Sequence, residues 1–422
     1  MMQTNLAADR ELSERLFAEL LEFSRDEPGV SRPSYGELEE RAHQVMRDAG
    51  TSLGLQPETD AAGNLFLTMA GRDPSLPAWI VGSHVDTVPH GGNFDGAAGV
   101  IGGLAAVSGL RRAGIVPRRS IVVAVFRAEE STWFPISYPG SRAAFGLLPA
   151  EALDLRRADT GQSLRHHMTL LGLRPDAVAA GEAHLSPKQI HGFIELHIEQ
   201  GPTLETEKIP VGLVTGIAGS FRYRQAACFG TYGHSGAVAR AYRHDAVFAM
   251  ADLITGLDAL WAEIDAEGER TTITVGEFST DPTLHAFAKV PGEVRFCLDV
   301  RSENVAVLAR IERRLTDLIA AIEARRGVRF ALGERTGSTP AIMNAALRDA
   351  LAVHATRLGI PYRILASGAG HDTAVFANQG VPSMMVFIRN QNGSHNPDEQ
   401  MRMEDFQEAA TLLAHLLADD AA

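Results

Sequence analysis

Apolar and polar positions follow two different rhythms along this chain. Leu12, Leu16, Leu20 and Phe23 recur at helical spacing and predict an amphipathic helix within Met1–Phe23. "YGELEERAHQVMRDAG" predicts a second helix that ends at its glycine. The runs "PAWIVGSH" and "RSIVVAVF" are short and almost continuously apolar, as strands covered on both faces should be. Between them, "AAGVIGGLAAVSGLRRAG" reads as a crossover helix whose small residues permit close packing. "HGFIELHIEQGP" alternates instead, with Ile194, Leu196 and Ile198 on one face and Glu195, His197 and Glu199 on the other. Its polar face borders either solvent or a polar site.

From about Val211 to Gly337 the pattern changes to strand (219–229), helix (241–262), strands (271–278 and 292–301), helix (303–325) and strand (327–335). That order predicts two helices on an antiparallel sheet, inserted into a larger domain. The α/β alternation then resumes with "VPSMMVFI" and a closing helix after Met403. The expected architecture is an α/β catalytic domain, residues 1–211 and 338–422, carrying an inserted α+β domain over 212–337. A length of 422 residues agrees with two domains.

Composition narrows the partners. A formal net charge of −13 argues against nucleic acid and anionic membranes. A local pocket can oppose the global sign, so a small substrate is unaffected. Cys228 and Cys297 are too few for a disulfide framework or a thiolate metal site, and both read as small buried thiols in strands. The amino-terminal helix lacks a basic start and an apolar signal core, and no apolar run approaches the ~20 residues of a membrane span. The expectation is a soluble, cytoplasmic protein.

The candidate chemistry begins in "GSHVDTVPHGGNFDGAAGV". His84 ends a buried strand, where ligand sites of α/β sheets collect. Asp86 can fold back to hold an imidazole nitrogen, and the nearby glycines permit tight turns. Asp95 begins a helix, as a ligand or as a plain N-cap. Tandem Glu129 and Glu130 follow another buried strand, so both loops should share one rim. Successive side chains diverge, which lets one carboxylate ligate a metal while the other faces a water. His197 lies on the polar strand face, and His395 sits in "NQNGSHNPDE" just beyond strand 382–388. Three imidazoles and two carboxylates suit divalent zinc, manganese, cobalt or nickel. Five ligands exceed the need of one open catalytic ion and fit two, bridged by a carboxylate about 3.5–4 Å apart.

Together with "ELHIEQGP", "PGEVRFCLDVR", "SGAGHDTAVFA" and "GSHNPDE", these blocks resemble the hydantoinase/carbamoylase family of amidohydrolases along nearly the whole chain. That family includes N-carbamoyl-L-amino-acid hydrolases, β-ureidopropionases and allantoate amidohydrolases. The resemblance implies a metallopeptidase-like catalytic domain with an inserted lid, through which two copies form a homodimer. It implies two divalent ions, zinc foremost: one held by His84, Asp95 and His197, the other by Asp95, Glu130 and His395. Glu129 would be the general base and Asp86 the orienter of His84. Gln200 would point toward substrate, His234 in "TYGHSGAV" would steady the oxyanion, often across the dimer, and Arg301 in "LDVR" would grip a carboxylate.

Two departures touch substrate identity. His285 and Ala288 stand where the family commonly carries asparagines, and Ser131-Thr132-Trp133 replaces Gly-Ser-Arg after the paired glutamates. Trp133 and the lost amide suggest a bulkier or less polar substrate. The implied reaction is hydrolysis of a linear C–N amide bond in an N-carbamoyl (ureido) amino acid or close analogue. A di-metal N-acyl amino-acid deacylase or dipeptidase is the alternative. A serine hydrolase is weaker, because "GHSGA" misses Gly-x-Ser-x-Gly at its last position. A non-catalytic binding protein predicts losses among the ligands or the base, and none is lost.

Overall fold

The computed structural model describes residues 6–421. The first five positions of the expected amino-terminal helix lie outside them; the helix itself is Arg10–Ser24, capped by the Asp9 carboxylate on the Leu12 N–H. The chain divides into two compact units. One comprises 1–215, 342–367 and 371–422, the other 216–341 with 368–370.

The first unit is built on a nine-stranded sheet. At its centre the strands Ile121–Phe126, Ala78–His84, Ile190–Ile198 and Ser383–Ile388 lie side by side in parallel. Leu65–Met69 and Val211–Ile217 flank this block in antiparallel sense. All six residues of Ser383–Ile388 are buried, as a strand covered on both faces requires. Register matters more than order here. His84 pairs with Phe126 and His197 with Phe387, so these strands end at a common edge. The helix Ala97–Arg112 packs on this sheet beside Met403–Ala418, and every residue from Ala97 to Leu110 is buried.

The second helix, Glu37–Ser52, runs through the glycine expected to stop it. Gly50 is there for packing: a Cβ at that position would stand 2.6 Å from Leu67 Cδ1.

In the second unit, Gly219–Phe229 and Glu293–Ser302 form the middle of a six-stranded antiparallel sheet. The helices Ala246–Ala266 and Val305–Arg326 share a core with it, including Phe221, Met250, Leu257, Phe296, Val300 and Ile311. Several expected boundaries move. The first helix starts five residues late because Asp245 caps it, accepting from the Val247 and Phe248 N–H groups. The run 271–278 breaks into Thr271–Thr274 and Phe278–Thr280, and 327–335 into Arg329–Ala331 and Arg335–Ser338. Cys228 is buried as expected, but Cys297 is only half-buried. The ladder shifts register between Phe296 and Leu298, which turns the thiol toward the Glu277 N–H. Among the described residues no helix is long and apolar enough to cross a membrane.

Candidate metal centre

The common edge of the parallel strands gathers the candidate ligands into two sets sharing Asp95: His84, Asp95 and His197, then Asp95, Glu130 and His395. Asp95 Oδ1 lies 3.5 Å from His84 Nε2 and 3.2 Å from His197 Nε2. Its Oδ2 lies 3.6 Å from His395 Nε2, which is in turn 3.3 Å from Glu130 Oε1. One carboxylate therefore offers an oxygen to each set. The N-cap alternative for Asp95 does not hold. Gly96 occupies that position, and no side chain caps the helix.

Both strand histidines have their outer nitrogen engaged. His84 Nδ1 lies 3.1 Å from the Asp86 carbonyl and 3.2 Å from Asp86 Oδ1, while His197 Nδ1 is 2.8 Å from the Ile198 carbonyl. Facing acceptors, each Nδ1 carries the proton and leaves the Nε2 lone pair directed at Asp95. Gly96, at φ 64°, makes room: a Cβ there would sit 2.4 Å from the His84 ring.

Asp86 does more than orient His84. Its Oδ1 accepts the Glu129 N–H at 3.1 Å, and its Oδ2 accepts the Glu130 N–H at 3.2 Å and the Ser34 hydroxyl at 2.6 Å. Glu129 Oε2 stands 4.0 Å from His84 Nε2, at the mouth of the first set. Gln200 reaches the same place, its Nε2 donating to Asp95 Oδ2 at 2.6 Å.

Electrostatics favour cations here. Asp86, Asp95, Glu129 and Glu130 are buried, and among the described residues their ion-pair partners are imidazoles. Burial pushes the Glu129 carboxyl well above the usual carboxylate range, and the charges of Glu130 and Asp372 add to this. Burial likewise raises Glu130. His395 is pushed up to about 9, first by its hydrogen bond to Glu130. Burial also acts against charge on Asp95, yet His197, His395 and His84 together hold it well below the ordinary value. So many carboxylates in a dry site call for divalent charge. The donors fit that need. Imidazole and carboxylate without thiolate match zinc and its first-row neighbours.

His234 and Arg301 belong to the second unit. His234 Nδ1 accepts from the Gly236 and Ala237 N–H groups, both at 3.2 Å, which leaves the proton on an exposed Nε2. Arg301 packs its Nε and Nη2 on Asp299 Oδ2 at 3.0 and 2.8 Å and gives Nη1 to the Gly368 carbonyl at 3.2 Å. His285 is exposed, 2.7 Å from the Thr280 hydroxyl, and the Ala288 carbonyl accepts the Ser235 N–H. Trp133 is buried beside Phe134 and Leu153, with its indole N–H on the Thr87 carbonyl.

Sequence reasoning passed over several supporting groups. Glu399 receives the Phe94 and Asp95 N–H groups and the Ser394 hydroxyl, and that hydroxyl also lies 2.6 Å from Asp95 Oδ2. Both residues stand inside the quoted "GSHNPDE" block, so the signal was present. Glu195, on the polar strand face, accepts from Ser83 and Thr373. That face therefore borders a buried polar network and not solvent.

Residues 80–419 match the sequence profile of peptidase family M20/M25/M40. The N-carbamoyl-L-amino-acid amidohydrolase of Paenarthrobacter aurescens is 34% identical over 411 residues, 97% of this chain and 98% of that protein. The allantoate amidohydrolase of Escherichia coli is 31% identical over 392 residues, 92% of each. A solved amidase of the hydantoinase/carbamoylase family from Burkholderia multivorans superposes with a TM-score of 0.88 at 29% identity, covering 99% of this chain and 98% of its own. A profile match across most of the chain, full-length relatives and a shared fold lead to one assignment: this protein belongs to peptidase family M20/M25/M40, among the amidases of hydantoinase/carbamoylase type.

Proposed function

We propose that this protein hydrolyses the C–N amide bond of an N-carbamoyl (ureido) amino acid or a close analogue. The observation that carries the reading is Asp95 common to two candidate ligand sets, with Glu129 Oε2 4.0 Å from His84 Nε2 of the first. Full-length relatives named for N-carbamoyl amino acids and allantoate support the ureido class over a deacylase or dipeptidase.

Two divalent ions, zinc foremost, are the cofactors we assign to the residues of these sets. Such ions polarise a carbonyl oxygen and lower the pKa of a bound water to about 7. The chain's own groups do the rest. Glu129 takes the proton of the attacking water and delivers it to the leaving nitrogen. Asp86 holds the amides of Glu129 and Glu130 so that the adjacent carboxylates serve separate roles. Gln200 orients substrate at the edge of the centre. From the inserted unit, which we assign as a lid and a homodimer contact, His234 Nε2–H steadies the oxyanion and Arg301 grips the substrate carboxylate.

The test is ammonia release by the ion-loaded protein from a panel of N-carbamoyl, N-formyl and N-acetyl amino acids and dipeptides. Ammonia from the carbamoyl compounds carries the reading. Acyl or peptide cleavage alone moves it to the deacylase or dipeptidase.

A further inference from the structure

The residue just before the glutamate pair has an unusual backbone. Ala128 has φ 55°, in the left-handed region that a side chain with a Cβ disfavours. It joins the end of the strand Ile121–Phe126, through Arg127, to Glu129. A backbone held there needs something to hold it, and the structure shows what does.

We propose that Glu39, on the first turn of the helix Glu37–Ser52, is a positioning residue for Glu129 and Glu130, acting through Ala128. Its carboxylate is fully buried, and Oε1 accepts the Ala128 N–H at 2.9 Å. Oε2 accepts the Tyr35 N–H at 2.6 Å and Arg127 Nη1 at 3.0 Å. Tyr35 is left-handed as well, at φ 53°. One carboxylate thus fastens two left-handed residues and the arginine between strand and pair.

Arg127 is fixed by three further contacts. Its N–H goes to Asn64 Oδ1 at 2.9 Å, its Nε to the Gly63 carbonyl at 3.0 Å, and its Nη2 to Glu40. Immediately after Ala128, Asp86 receives the next two amides, and Asp86 is itself held by Ser34, which adjoins Tyr35. The segment from Ser34 to Glu39 therefore grips the glutamate turn from both ends. A glutamate that only capped its own helix would take the N–H of the N-cap residue, which here is Gly36 and donates to the Pro33 carbonyl instead. Oε1 and Arg127 are devoted to the turn instead.

The amide of Glu39→Gln retains the size but not the three-way acceptance. Its NH₂ must face either Ala128 or the Tyr35–Arg127 pair, donor against donor. The turn then loses its fastening where a small displacement matters, because both carboxylates swing with it.

The inference rests on the roles proposed for Glu129 and Glu130, so the experiment reads ions as well as turnover. Glu39→Gln, Ala128→Gly and the double variant are prepared as full-length protein. Kinetics are measured on the best N-carbamoyl substrate, and zinc affinities by competition with a chromophoric chelator; Glu130→Gln identifies which affinity belongs to the Glu130 set. Glu39→Gln should lower kcat about 10–100-fold with KM nearly unchanged and weaken only the Glu130-set ion. In the Ala128→Gly background the same substitution should cost far less, because glycine adopts the left-handed conformation unaided. Unchanged kcat and affinities, or an equal loss in both backgrounds, overturns the proposal. If Glu39→Gln does not fold, the double variant decides: recovery of folded protein supports the strain argument, and failure of both overturns it. If the wild-type protein cleaves no panel compound, the functional reading fails by itself, and the selective loss of one zinc affinity still tests Glu39.

Discussion

Asp86 and Glu129 meet through one hydrogen bond, from the Glu129 main-chain N–H to Asp86 Oδ1 at 3.1 Å, on the same oxygen that faces His84 Nδ1. The residue that sets the tautomer of a candidate ligand therefore also sets the start of the glutamate pair. Asp86→Asn should be costly although it is nearly isosteric. Every position around the carboxylate is filled by a donor, and an NH₂ would oppose two of them. The expected loss is about 10–100-fold in kcat, with weakened ion retention. Steady-state kinetics and elemental analysis of the purified variant check both.

Glu129→Gln should separate ion binding from proton transfer. Glu129 belongs to neither ligand set, so the variant should keep the wild-type ion content. Removing a general base costs about 10²–10⁴ in turnover. Full activity with full ion content would eliminate Glu129 as the base.

Ion stoichiometry should follow the sharing of Asp95. His197→Ala and His395→Ala should each lose affinity for one ion, and Asp95→Ala for both. Chelation should lower Tm, and readdition of zinc or manganese should restore it, because a ligand that binds only the folded state stabilises it. Equal ion content in all three variants, by elemental analysis, would contradict the sets.

His234→Ala should leave ion content and Tm near wild type, since the side chain is exposed and its Nδ1 is held by its own turn. Its kcat should fall about 10²–10³-fold if Nε2–H serves the oxyanion. Arg301→Lys should act mainly on KM, through loss of the planar fork. Opposite behaviour of the two variants would exchange their assigned roles.

A pH effect on stability follows from Asp372, a buried residue whose Oδ1 accepts the Ser141 hydroxyl at 2.5 Å while Oδ2 has no hydrogen-bond partner among the described residues. Burial, with Glu195 nearby, pushes its carboxyl up to about 7 from an ordinary 3.8. The folded state then binds the proton more tightly than the unfolded state, so stability from this group falls as pH rises between those values. Asp372→Asn carries no such charge. Its Tm relative to wild type should therefore improve from about pH 4 to about pH 7 and level off above, by thermal unfolding across that range. A constant difference would mean that Asp372 does not titrate there.

Much of this protein is readable from residue order alone. Continuous apolar runs mark the central parallel strands, since only strands covered on both faces can be apolar throughout. The change of rhythm near Val211 marks the inserted antiparallel unit. His84, Asp95, Glu130, His197 and His395 stand in recognisable blocks, and the strand ends and loops that hold them follow local rules. Helix limits were less legible. Gly50 looks like a stop signal, and its neighbour Leu67, on a strand, makes it a packing residue.

Tertiary structure decided what each polar group faces. Trp133 gives no sign in the sequence of its packing partners, Phe134 and Leu153; Asp95 could have been an N-cap and is common to both candidate ligand sets. Glu39 reads locally as one more acid on an amphipathic helix, yet its oxygens fasten the turn before the glutamate pair. The reason is physical. Periodicity reports which side of an element is apolar, because burial acts on every residue of that side. Hydrogen-bond partners of a buried carboxylate come from segments far apart in the chain, and only the folded backbone brings their donors within three ångströms or so.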